Sequence, residues 1–189
     1  PRYHKNFDNR LKPYMQAESL EFFKEIFKKD EPMTQIIDAD FTMLNARLAK
    51  HYGVEGPKSQ RFERTSLKGT NRAGGILGHA SIHLSGSDGA ESHPIRRAVW
   101  VRERLLHDPP KPPPPDVPGI EESVKDFEKL SLHEQIEFHR KKESCNDCHR
   151  TLDPWGIALE EYSAVGLKRG KTTVHKKPIT SDTILPGNH

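Results

Sequence analysis

The sequence predicts a mainly α, loop-rich domain whose small core is completed by a bound group. Three observations lead there. The first is Cys145-Asn146-Asp147-Cys148-His149, a C-x-x-C-H run holding the chain's only two cysteines, which is the attachment signature of a c-type haem. The second is the recurrence of apolar residues at helical spacing along the chain, with one short strand-like stretch only. The third is composition. Hydrophobic residues make up 33% of 189 residues and prolines number 15, with a mean hydropathy of -0.82. That is lean for a self-contained core, and a porphyrin would add a large apolar disc for side chains to pack on.

From the N-terminus, Leu20, Phe23 and Phe27, with Phe22 and Ile26 beside them, predict a short amphipathic helix over residues 19–28. Asp40 is placed to cap a second helix with Phe41, Leu44 and Leu48 on its apolar face and Gly53 at its end. Residues 61–67 read as a short strand. Residues 69–89, rich in Gly and Ser, read as loop with one turn of helix, near the haem. Pro94 suits the first turn of a helix running to about Leu106, with Ser92 or His93 near its cap. Pro109 to Pro115 is nearly all proline and predicts an extended strap, either a plain linker or a partner-binding strip. Ser131 with Glu134 forms a capping box, opening a helix whose Leu132, Ile136 and His139 share one face and which leads into the C-x-x-C-H run. Asp153-Pro154 predicts the start of another short helix carrying Trp155, Ile157, Leu159 and Tyr162, ended by Gly166. The stretch after Lys168 is polar and aperiodic.

The C-x-x-C-H run has a specific chemistry. Both thiols add across porphyrin vinyl groups, and the two-residue spacer sets the sulfurs one helical turn apart. The adjacent His149 then lies under the iron as proximal ligand. A thioredoxin-like redox pair and half of a zinc site are the rival readings. Zinc would need further ligands, and no other cysteine exists to supply them. A redox pair normally sits where a strand feeds a helix, and no apolar strand precedes Cys145.

The sixth ligand is the harder question. All three methionines, Met15, Met33 and Met43, lie upstream of His149, so a downstream methionine is excluded. Histidine is the natural substitute. His79 and His83 stand at i, i+4 spacing, and His93 sits in a loop just before a helix, where Pro94 restricts its backbone. His93 is the narrow preference, and an open or water-ligated iron is the alternative. Arg140, Arg97 and Arg72 are candidate partners for the haem propionates. Trp155 and Tyr162 are candidate porphyrin contacts. Gly74-Gly75 suits a turn or a close backbone approach, and is too short for a phosphate cradle.

The formal charge of +3, with acids and bases interspersed, argues against nucleic acid and is compatible with docking to an acidic redox partner. No segment has the apolar length of a membrane span. With no initiator Met and no signal peptide, the chain reads as mature protein or a fragment of a longer one. Haem attachment of this type takes place outside the cytoplasm, so the expected location is periplasmic or otherwise exported.

Several segments together carry a resemblance. They are Asp40 to Ala49 with His51-Tyr52-Gly53, Arg72 to Gly78, Ser92-His93-Pro94-Ile95 with Arg97 and Trp100, and the proline strap to Val117-Pro118. His139-Arg140, Cys145 to His149, and Asp153 to Glu160 complete the set. In this collinear order, over about two thirds of the chain, the sequence resembles the cytochrome-c-like domain family of unknown function found in large exported planctomycete proteins. The resemblance implies a haem domain over residues 38–170. Residues 1–37 would then be the tail of a preceding domain or a helical extension, and residues 171–189 the start of a following domain or a tail.

The resulting expectation is a monohaem c-type cytochrome domain with one haem c per chain. It would exchange electrons with a redox partner protein or with neighbouring domains of the parent chain. The alternative is a haem-based gas or redox sensor, or a haem enzyme, with an open or displaceable sixth position for a small gas ligand.

Overall fold

The structure, a computed structural model, describes residues 7–87, 91–112, 130, 134–135, 138, 140, 143–170 and 179–187. Among them it is mostly helical, with one small two-stranded sheet. The chain forms two compact units, one of residues 1–90 with 162–168, the other of residues 91–161 with 169–189.

The first unit begins with α1, Lys12–Lys29. Pro13 sits in its first turn, where the missing N–H is no loss. Lys28 and Lys29 face the negative end of its dipole, and Asp30 closes it in the left-handed region at φ 52. The helix is longer than the predicted 19–28, and its buried stripe is Met15, Glu18, Phe22 and Ile26. The expected stripe is corrected accordingly: Leu20 is 56% and Phe27 70% exposed. An acid in the middle of the true stripe hid it from an apolar reading.

The helix expected to start at Asp40 is also corrected. Phe41–Leu44 is a strand, β1, buried at all four positions. It pairs antiparallel with β2, Glu63–Ser66, in the register Phe41↔Ser66 and Leu44↔Glu63. A four-residue apolar run does not distinguish strand from helix by period. The helical cap lies five residues later. Asn45 accepts from the backbone N–H groups of Arg47 and Leu48, and α2, Ala46–Tyr52, runs from there to Gly53 at φ 67.

Residues 69–89 hold more regular structure than the loop expected there: a 3-10 turn at Ile76–Gly78 and a helix, α3, at Ala80–Ser85. Gly74 is where two stretches of backbone meet, since a Cβ there would lie 1.8 Å from the Ala39 carbonyl oxygen. Two apolar clusters hold the unit together. One gathers Leu11, Met15, Leu44, Leu48, Ala80 and Val165 with neighbours. The other gathers Phe22, Ile26, Ala39, Phe41 and Met43.

The second unit contains α4, Pro94–Arg104. It opens where the sequence places it, with Pro94 in the first turn and the His93 ring accepting from the Arg96 N–H. It packs against α5, Glu143–Ile157. The expected break at Asp153-Pro154 is corrected, because α5 runs straight through with Pro154 inside it. Proline removes one helical hydrogen bond but keeps a helical φ. Packing compensates: Leu152 and Asp153 are buried, and a Cβ on Gly156 would lie 2.0 Å from the Pro94 carbonyl oxygen. Leu159 and Tyr162 therefore fall beyond the helix. Tyr162 pairs instead with Lys168 in an isolated antiparallel bridge of the first unit.

Most of the helix expected from Ser131, including Leu132, Ile136 and His139, lies outside the described residues, as does the proline strap beyond residue 112. No helix among the described residues is long and apolar enough to cross a membrane.

Candidate functional site

The C-x-x-C-H run lies on α5. A helix puts residues i, i+3 and i+4 on one face, so Cys145, Cys148 and His149 share a face by spacing alone. Both cysteines are free thiols, Cys145 buried and Cys148 exposed. One helical turn further on, the Oδ1 of Asp153 lies 2.7 Å from the Nδ1 of His149. The Asp153 side chain is fully buried, and that of His149 is 15% exposed. An ionised carboxylate can only accept, so this contact selects the Nδ1–H form of the ring, and in the neutral ring that form carries its lone pair on Nε2. This arrangement suits an iron ligand: two thiols one turn apart, then an imidazole fixed in one tautomer. The His149–Asp153 partnership is readable from the i, i+4 spacing but was not part of the sequence expectation.

Arg140 donates through Nε to the Asn146 side chain at 3.2 Å, inside the C-x-x-C-H run. Trp155 is half-buried on α5. His93 also belongs to this unit, with Nδ1 engaged as the α4 cap at 3.5 Å from the Arg96 nitrogen.

A buried ionic cluster ties the end of α5 to α4. The Arg97 guanidinium donates to the Leu159 carbonyl at 2.8 Å and to Glu160 Oε1 at 3.1 Å. Ser92 donates to Glu160 Oε2 at 2.5 Å. Arg169 reaches Ser92 at 2.5 Å and lies 3.4 Å from Glu91. Burial pulls Arg97 down to about 10 against the attraction of Glu160, and burial pushes the Glu160 carboxyl up. Arg97 is thus a buried structural cation with protein partners in the place of a propionate. Glu160 and Arg169 were not foreseen as its partners.

His79, His83, Arg72 and Tyr162 belong to the first unit. His83 is buried and stacks on Tyr162, ring centroids 4.5 Å apart. Arg72 lies over the Tyr52 ring at 3.6 Å. It donates to the Gly166 carbonyl at 2.7 Å and also to the Gly78 carbonyl. Its guanidinium is spent on the protein rather than presented to a propionate.

His79 is the centre of a polar chain that sequence reasoning missed. Ser19 lies 2.7 Å from Ser81 and 3.0 Å from His79 Nδ1. Thr42 lies 3.3 Å from His79 Nε2 and donates to Glu18 Oε1 at 2.8 Å. Tyr52 donates to Glu18 Oε2 at 2.5 Å and accepts from the Ala80 N–H at 3.1 Å. Every hydroxyl proton is used if Ser81 donates to Ser19, Ser19 to Nδ1, and the Nε2–H to Thr42. Each ring nitrogen of His79 then has a partner, and a ligand role would require giving one up. Burial pushes Glu18 up to about 7, against its hydrogen bonds from Tyr52 and Thr42 and the charge of Arg72. Burial, helped by Arg72, holds His79 down at about 3. Burial and the Glu18 charge raise Tyr52 well above its ordinary value.

Met15 and Met43 are buried in the first unit's apolar clusters. Among the described residues no three His, Cys, Asp or Glu side chains gather as a metal cage.

The fold and site define a mainly helical protein carrying a C-x-x-C-H helix whose histidine is bound to a buried carboxylate. The chain belongs to the family described as PSCyt3, protein of unknown function (DUF1588), whose model matches residues 72–172. Residues 1–54 are similar to a second family, PSD4, protein of unknown function (DUF1592). Thr42 and Ser19, from the second match, bond to His79, from the first, so the first unit draws on both. No curated protein and no solved structure matches the chain.

Proposed function

We propose that α5 is the attachment site of a covalent haem c and that the chain is a monohaem c-type cytochrome domain of a larger exported redox protein. The observation that carries this reading is the His149–Asp153 bond at 2.7 Å behind the two free thiols. It leaves Nε2 of His149 as the ring's donor atom, and histidines that ligate metals usually hold their other nitrogen in this way. Cys145 and Cys148 would form the thioethers, His149 would bind iron, and Arg140 stands beside the attachment run. When bound, the haem supplies a one-electron iron couple. The chain's own residues would hold it and fix the imidazole.

One observation keeps a second reading, a gas or redox sensor or haem enzyme with an open sixth position. None of the three methionines follows His149, and Met15 and Met43 are core residues. The test is expression with a haem-attachment system, followed by acid-acetone extraction and spectra with and without carbon monoxide. Haem that stays with the polypeptide and resists carbon monoxide supports the electron carrier. Retained haem that takes carbon monoxide at once moves the sensor or enzyme reading ahead. Colourless protein overturns both.

A further inference from the structure

Resting on that haem reading, we infer that Asp153 is a positioning residue for His149: its buried carboxylate fixes the iron-facing tautomer and lowers the reduction potential. The geometry is specific. Asp153 Oδ1 lies 2.7 Å from His149 Nδ1. Asp153 is fully buried, and its Oδ2 has no hydrogen-bond partner among the described residues. The carboxylate's charge is therefore aimed through Oδ1 at one imidazole, in surroundings where charge interactions are weakly screened.

The residue is also held in place. It sits inside α5, which continues through Pro154 to Gly156, and there the backbone abuts Pro94. That contact fixes the backbone that carries Asp153, and the buried side chain has no exposed position at this point of the helix. A negative charge on the far side of the ring makes Nε2 a stronger donor and favours the oxidised iron, which carries the extra positive charge. Redox exchange moves one electron to or from the partner, and no proton need leave Nδ1.

The experiment compares the haem-loaded parent with Asp153→Asn. Asparagine keeps an oxygen to accept from Nδ1–H and removes the charge. Retained covalent haem with a reduced-to-oxidised ratio about tenfold higher at fixed potential, about 59 mV for one electron, is expected. An unchanged midpoint overturns the inference, whereas a parent without covalent haem overturns the haem reading and leaves the His–Asp bond untouched. A second measurement needs no variant. Proton NMR of the haem-loaded parent should find the His149 Nδ1–H slow to exchange with solvent, and a rapidly exchanging Nδ1–H would overturn the positioning role.

Discussion

Replacing Glu18 by Gln should uncover a pH dependence that the parent hides. Glu18 rises from 4.5 to about 7 on folding. Between those values the folded state keeps a proton that the unfolded chain releases, so this group's contribution to stability falls as pH rises. At 1.36 kcal/mol per unit the full loss is about 3 kcal/mol. His79 falls from 6.5 to about 3. Between those values the unfolded chain binds a proton that the folded state refuses, so its contribution falls as pH drops, by about 5 kcal/mol in all. From pH 4.5 to 6.5 the two slopes are opposite and cancel. Glu18→Gln keeps the side chain's shape between Thr42 and Tyr52 and leaves the His79 slope alone. Stability of the variant should rise by about 1 kcal/mol per pH unit across that window, relative to a parent nearly flat in these two groups. His79→Gln should show the opposite slope. Urea unfolding at several pH values, with hydrogen exchange of α1 amides to report the first unit, measures both. If parent and Glu18→Gln run parallel from pH 4.5 to 6.5, then Glu18 holds no proton there. Its donors Tyr52 and Thr42 would have outweighed burial, and the reasoning fails.

Two further perturbations probe the framework. Asn45→Ala removes the acceptor for two N–H groups at the start of α2 and should cost about 1 kcal/mol, read from the urea midpoint. Gly156→Ala drives a Cβ into the Pro94 carbonyl and should cost about 3 kcal/mol. It should lower the melting transition followed by the fluorescence of Trp100 and Trp155, which both lie in the second unit.

How much was legible depended on how local the cause was. The α4 start was readable because Pro94 and the His93 cap are neighbours in sequence, and β2 fell within the expected residues 61–67 for the same reason. The Phe41–Leu44 run misled because four adjacent buried residues carry no period, and both Asp40 and Asn45 are good caps. Pro154 misled because a proline starts a helix more often than it rides inside one. The packing of Gly156 on Pro94, which compensates here, is invisible in sequence. Glu18 was out of reach for another reason. Its partners Thr42 and Tyr52 come from 24 and 34 residues away, and an isolated acid on a helix reads as solvated. The Arg97–Glu160 pair spans 63 residues and was hidden in the same way. By contrast, the four-residue step from His149 to Asp153 was available to inspection.

The most direct measurement for the proposed haem site is the intact mass of the denatured protein after expression with a haem-attachment system. The parent should be heavier than its polypeptide by one haem, and the Cys145→Ala, Cys148→Ala double variant should have the mass of polypeptide alone. A parent at bare polypeptide mass with two titratable thiols, or a double variant that still carries covalent haem, would contradict the account.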